Sequence, residues 1–256
     1  MSGTAPRRVV VAGDWHGQTG CALDIIRRVP ELLSGEPARI IVQLGDFGVW
    51  PGHGGGEYLR RLDRALKHVD AAVCFIDGNH EHHPRLEQLP RVAGMGQLTD
   101  RIWHLPRGHR WVWHGRTWLA LGGAVSLDRV GRTEGRDWWP QETITPGQAH
   151  HAIHDGPAEV MITHDCPASV RHSFPPPPTW WAVEDLQRNQ EHRELLQSVV
   201  DAVRPEYLMH GHLHMAYDRE IAMEHGPVRV TGLAADGDRG NAAVLDVETM
   251  EWETLL

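Results

Sequence analysis

The sequence predicts an α/β fold, and three observations carry the prediction. Short apolar runs of strand type alternate with helical patterns through the first half of the chain. Several of these runs end at once in glycine beside a polar residue, and only later does the pattern change to apolar and polar alternation. Strand and helix in turn imply βαβ units and a largely parallel sheet, whose strands are buried on both faces and read as continuous apolar runs. A chain of 256 residues can bury one large core of this kind, so a single domain over residues 1–256 is expected.

In order, the pattern gives a strand over 8–12, a helix over 21–33, a strand over 40–44, a helix over 57–69 and a strand over 72–76. Between Ile102 and Leu121 the alternation Arg110-Trp111-Val112-Trp113 and Thr117 to Leu121, joined by His114-Gly115-Arg116, reads as a hairpin that starts a second sheet. An irregular segment, 122–141, follows. Next come a short helix over 146–154, a strand over 159–163 and a loop over 166–181 stiffened by Pro175 to Pro178. A helix over 183–203 leads into a strand ending at Met209, and the tail from Ile221 gives three strand-like runs set off by Gly226, Gly237 and Gly240.

Five strand ends carry metal-binding side chains. They are Gly13-Asp14-Trp15-His16-Gly17, Gly45-Asp46, Gly78-Asn79-His80-Glu81, Thr163-His164-Asp165 and Gly211-His212-Leu213-His214. In an open α/β sheet, ligands bind in the crevice at the carboxyl ends of strands, so five such clusters can meet in one place. Asp14 with His16, and His212 with His214, stand two residues apart, which on extended backbone puts both side chains on one side. Imidazole and carboxylate without thiolate suit Mn, Fe, Zn or Co better than Ca or Cu(I).

Composition narrows the function classes. The chain has 19 His, 11 Trp, and only 3 Phe and 3 Tyr, and a His-rich chain raises the expectation of metal chemistry. A net charge of −9 argues against polyanion binding through a broad basic surface, and no stable nucleic-acid complex is expected. Cys21, Cys74 and Cys166 are scattered, which argues against a disulfide framework and for reduced thiols. No stretch reaches the roughly 18 to 20 apolar residues of a membrane span, and Asp14 cuts short the apolar run after Arg7-Arg8. The expected location is cytoplasmic.

These five blocks, in this order from Asp14 to His214, resemble the motifs of the calcineurin-like metallophosphoesterase superfamily. The resemblance implies a four-layer sandwich, two mixed sheets flanked by helices, with a site for two divalent ions at the strand ends. It assigns Asp14, His16, Asp46 and His214 to one ion, and Asp46, Asn79, His164 and His212 to the other. The ions would be Mn, Fe, Zn, Ni or Mg, with Mn favoured. Two cations about 3.5 to 4 Å apart polarise a phosphoryl group and activate a bridging hydroxide for in-line attack. His80, in the place of the family's non-ligand histidine, is the expected proton donor to the leaving oxygen. Its orienting partner is open, with Glu81 and Asp77 as guesses.

Where the protein Ser/Thr phosphatase branch has an aspartate and an arginine, this chain has Val49 and Trp50. That points away from phosphoproteins and towards a phosphodiesterase acting on a nucleotide or a nucleic-acid-derived ester. A nucleotide phosphomonoesterase and a catalytically silent metal-binding scaffold are the alternatives. Substrate grip is expected from Arg129, Arg132, Arg136, Trp138 and Trp139, because guanidinium forks clamp phosphate and indole faces stack on bases. The competing reading makes this segment an ordered surface loop with its tryptophans packed on the second sheet.

Overall fold

In the computed structural model, residues 5–171 and 178–254 are described; most of the proline run, residues 175–177, lies outside them. The expected opening is present as β1 (Arg8–Ala12), α1 (Thr19–Leu32), β2 (Arg39–Gln43), α2 (Gly52–His68) and β3 (Ala71–Phe75). The three strands pair in parallel, Val10 beside Ile41 and Val42 beside Cys74. Helix α2 begins five residues earlier than its periodicity suggests, at Gly52 rather than Glu57. Its glycine-rich first turn has poor helix propensity, but a Cβ at Gly55 would lie 2.2 Å from the carbonyl oxygen of Trp50, so packing requires glycine there.

Four elements escape the sequence reading: the short helix α3 (His83–Glu87) and strands β4 (Arg91–Val92), β5 (Met95–Gln97) and β6 (Ile102–His104). Strands this short hold too few residues to show a period. Strands β7 (Arg110–Trp113) and β8 (Arg116–Leu121) make the expected hairpin, with Trp111 opposite Trp118. The segment that follows is less irregular than expected, with single 3-10 turns at Arg129–Gly131 and Pro140–Glu142. Helix α4 (Pro146–His154) starts at a capping box, in which the Thr145 hydroxyl accepts the Gln148 N–H and the Gln148 side chain accepts the Thr145 N–H. Then come β9 (Val160–Thr163), α5 (Val183–Val203) and β10 (Tyr207–His210). The tail forms four strands, β11 (Tyr217–Met223), β12 (Gly226–Gly232), β13 (Ala242–Asp246) and β14 (Glu251–Thr254), not three. No glycine marks the last turn, where Met250 takes a φ of +60°.

One sheet runs β14-β13-β1-β2-β3-β6-β5-β4 and the other β11-β12-β10-β9-β8-β7, and both are mixed. Strand alternation divides the apolar residues into three layers. Val9, Val11, Val42 and Ile76 face Trp118, Ala120, Ile162 and Met209 of the other sheet. Val10, Ile41 and Phe75 point the opposite way, against Ile26 and Val29 of α1 and Leu62 and Leu66 of α2. Leu121, Met161 and Leu208 pack on Ala149 and Ala152 of α4 and Val199 and Val203 of α5. The result is the four-layer sandwich of two sheets between helices. Among the described residues no helix is long and apolar enough to cross a membrane.

Candidate metal centre

The carboxyl ends of β1, β2, β3, β9 and β10 open on one edge of the sandwich, and backbone hydrogen bonds join the loops that leave them. The N–H groups of Trp15 and His16 donate to the Asp46 carbonyl (3.1 and 2.7 Å), and that of Gly211 donates to the His164 carbonyl (3.1 Å). Glycines let these loops close on the side chains. A Cβ at Gly45 would lie 2.3 Å from His164 Nδ1, at Gly78 2.1 Å from Asp46 Oδ1, and at Gly211 2.1 Å from Asp14 Oδ1. His16, Asp46, His212 and His214 all have φ between 42° and 59°, a left-handed conformation that costs about 1–3 kcal/mol for a non-glycine residue.

That backbone corrects one expectation. His212 and His214 do not lie on extended chain with side chains aligned; they part to different groups. Asp14, His16 and His214 form one group of donor atoms lying within 4.8 Å of one another, Asp46, His164 and His212 form another, and His16, Asp46 and His80 form a third that overlaps both. His214 Nε2 is 3.0 Å from Asp14 Oδ2, and Asp46 Oδ2 stands 3.3 Å from His16 Nε2 and 3.4 Å from His164 Nε2. Asp46 is therefore the acid between the two groups. Asn79 Oδ1 lies 3.3 Å from His164 Nε2, while its amide donates to the Ser126 hydroxyl at 3.1 Å.

Several imidazoles are already oriented. His164 Nδ1–H donates to the Leu44 carbonyl at 2.7 Å, which leaves Nε2 as the atom aimed at Asp46. His16 Nδ1 contacts Asp236 Oδ1 at 2.9 Å, the carboxylate–histidine arrangement that supports metal-ligating imidazoles. Asp236 is a residue that the sequence reading misses. It follows β12, which runs parallel to β10, so it is an acid at a sixth strand end of the same edge. A Cβ at Gly13 would lie 2.2 Å from the Ala234 carbonyl oxygen, a closeness that brings this loop against His16.

Charge fits the geometry. Burial lowers the pKa of His16, but hydrogen bonding and charge from Asp46, joined by Asp236 and Asp14, outweigh it and raise His16 to about 9. His164 is raised to about 10, where burial is likewise outweighed by Asp46 and Asp14. Asp46 is the other side of these pairs: burial raises it, but His80, His164 and His16 hold it well below the usual carboxylate range. His212 is pushed down to about 3, first by burial and then by the neighbouring His164 charge. Two buried acids, Asp14 and Asp46, surrounded by imidazole nitrogens with fixed partners form a donor set that suits divalent transition ions.

A pH dependence follows. The His16 and His164 pairings stabilise chelator-stripped protein fully below their ordinary value of 6.5 and fade as pH rises through about 9 and about 10. Stripped protein is expected to lose melting temperature across that alkaline window, and Mn-loaded protein to lose less. Thermal melts at matched pH test this, and parallel curves for the two forms would contradict it. Metal affinity is expected to rise with pH, because ligating nitrogens must shed their protons.

His80 sits beside the cluster, its Nε2 3.8 Å from Asp46 Oδ2 and its backbone N–H donating to Asp46 Oδ1 at 2.9 Å. Burial, with the Arg132 charge adding and Asp46 opposing, holds its pKa below the ordinary value. Neither guessed partner orients it. Glu81 is buried and accepts the N–H groups of Gly48 (3.0 Å) and Gly78 (2.6 Å); burial and then the Asp46 charge raise it to about 8. Asp77 is taken up by Arg107 at 2.6 Å and His104 at 3.2 Å. The side chain that approaches His80 Nε2 is Arg132, at 3.4 Å, itself held by Asp128 through contacts of 2.9 and 2.6 Å.

The five expected substrate residues divide. Arg132, Arg136 and Trp139 line a cleft of about 290 Å³ shared with His16, His80 and Trp50. Arg129 and Trp138 do not line it. Arg129 pairs with buried Asp185 of α5 at 2.6 Å, and the Trp138 ring is contacted by the guanidinium groups of both Arg129 and Arg188, 5.5 and 5.7 Å from its centre. These two anchor the loop to α5 instead of packing on the second sheet. A larger groove of about 700 Å³, at the entry ends of β2 and β3 beside β7, holds none of the clustered acids and imidazoles.

The sequence model of the calcineurin-like phosphoesterases matches residues 7–216. The chain belongs to that family. Among solved structures, this family member is similar to TT1561 of Thermus thermophilus, at 15% identity and a TM-score of 0.55, over 98% of each chain. A 5′-nucleotidase precursor from the same organism aligns at 14% identity and a TM-score of 0.49, over 97% of this phosphoesterase and 54% of that chain. A search of curated protein sequences finds no match. At 15% identity the likeness to TT1561 shows the fold alone.

Proposed function

We propose that this phosphoesterase is a phosphodiesterase that works with two divalent ions, Mn by preference, on a nucleotide or nucleic-acid-derived ester. Asp14, His16, Asp46 and His214 would hold one ion, and Asp46, Asn79, His164 and His212 the other. The observation that carries this reading is the position of Asp46 Oδ2, 3.3 Å from His16 Nε2 in one group and 3.4 Å from His164 Nε2 in the other. A single carboxylate so placed can serve both ions. When bound, the ions supply polarisation of the phosphoryl oxygens and a more acidic water.

The chain supplies the rest. Arg132, fixed beside His80, places positive charge where an ester phosphate enters the cleft. His80 faces the same space, and the negative charge of a bound phosphate raises its pKa and favours the proton it passes to the leaving oxygen. His80→Ala is expected to keep both ions and lose rate by about a hundredfold or more. Unchanged turnover in that variant would remove His80 from the reaction. The wider reading is tested by a matrix of Mn, Fe, Zn, Ni and Mg against a phosphomonoester, a linear diester and the 2′,3′- and 3′,5′-cyclic nucleotides. Diester turnover with Mn supports it; monoester turnover alone makes the chain a phosphomonoesterase; ion binding without any turnover makes it a scaffold.

A further inference from the structure

Trp50 has an unusual setting. Its side chain is large and apolar, yet the residue is 40% exposed at the cleft beside the clustered acids and imidazoles. It is also fixed. The indole Nε1–H donates to the His80 carbonyl at 2.9 Å, and the ring lies on Gly17, where a Cβ would meet its atoms at 2.9 to 3.2 Å. Gly17 has a φ of +67°, and Gly55 seats the Trp50 backbone, so glycines at two places shape the chain around this ring. One part of the indole is thus committed to the scaffold and the remainder forms cleft wall. Arg136 lines the same cleft, is exposed, and makes no ion pair or side-chain hydrogen bond among the described residues. A rigid aromatic surface next to an unpaired guanidinium suits a ligand that joins a flat ring system to a phosphate.

We propose that Trp50 selects the substrate by stacking against the nucleobase of a nucleotide ester, with Arg136 drawing in its phosphate. This rests on the phosphoesterase reading for the place of the reacting phosphate, but it concerns recognition and is read by binding. A nucleobase presents a π-face of any sequence, so Trp50 favours nucleotides over sugar phosphates without distinguishing bases strongly.

The test is calorimetric titration of the full chain, loaded with Mn, using adenosine 5′-monophosphate and ribose 5-phosphate as probes. Wild type is expected to bind the nucleotide about tenfold or more tightly than the sugar phosphate. Trp50→Ala should weaken nucleotide binding to the level of the sugar phosphate and leave the latter unchanged, Trp50→Phe should keep part of the preference, and Arg136→Gln should weaken both probes alike. Equal affinities in wild type, a preference that survives Trp50→Ala, or no binding of either probe at millimolar concentration would overturn the proposal. A chain that prefers the nucleotide through Trp50 but hydrolyses no ester would overturn the hydrolase reading alone. One that hydrolyses simple diesters but binds the nucleotide no more tightly than the sugar phosphate would overturn only the role of Trp50.

Discussion

Replacing Asp46 by Asn is expected to lower kcat/KM for a diester by at least about a thousandfold, or about 4 kcal/mol of transition-state stabilisation. Asn keeps the shape but removes the charge that faces His16, His80 and His164 at 3.3, 3.8 and 3.4 Å. Both candidate ion positions lose their shared carboxylate at once, so the metal content of the variant should fall with its rate. Asp236→Asn is the informative comparison. Asp236 touches His16 Nδ1 and, in the proposed assignment, no ion, so its loss should cost about 10 to 100-fold in metal affinity at one position. Steady-state kinetics with metal analysis on dialysed protein distinguish the two, and equal losses in both variants would contradict the assignment of Asp46 to both ions.

The second large effect concerns the scaffold under the site. Arg107→Met is expected to destabilise the protein by about 3–5 kcal/mol, because it strands a buried carboxylate. Arg107 and Asp77 have only 7% and 4% of their side chains exposed, and two guanidinium nitrogens reach Asp77 Oδ2 at 2.9 and 2.6 Å. The same guanidinium donates to the carbonyls of Gln141, Glu142 and Thr143 and to Gln148 Oε1. Asp77 directly precedes Gly78-Asn79-His80, so one arginine ties the end of β3 to the segment that carries Arg132 and Trp139. The melting temperature should drop by on the order of 10 °C. A Lys at this position cannot reproduce the fork and should recover little of it. The double change Asp77→Asn with Arg107→Met should cost less than the two single costs added, since no unpaired charge remains. Additive losses in thermal or denaturant unfolding would show that the pair acts separately.

How much of the site is legible in the sequence follows from how the site is built. Asp14, Asp46, Asn79, His164, His212 and His214 each stand at or just after the end of a short apolar run, so local pattern alone finds them. The parallel arrangement of β1, β2 and β3 then carries their ends to one edge. The sorting of His212 from His214 is not legible locally, because it depends on left-handed backbone at both residues. Partners brought together by the fold are harder still. Asp236 lies 220 residues from His16, and Arg107 lies 30 from Asp77 and 41 from Gln148, so no spacing announces either contact. In the sequence Trp50 registers only as the absence of an arginine; its exposure and its seat on Gly17 give it a positive role that composition cannot show. Arg129 and Trp138 fit the pattern of a phosphate and base grip, but buried Asp185 and Arg188 of α5 claim them.

Under the proposed assignment two ions, sharing Asp46, are required together. This requirement is tested most directly by titrating chelator-stripped protein with Mn while following hydrolysis of bis(p-nitrophenyl) phosphate. Little turnover is expected up to one equivalent, and full turnover only as the second binds. Full activity at one equivalent, or none at saturation while other divalent ions also fail, would contradict it.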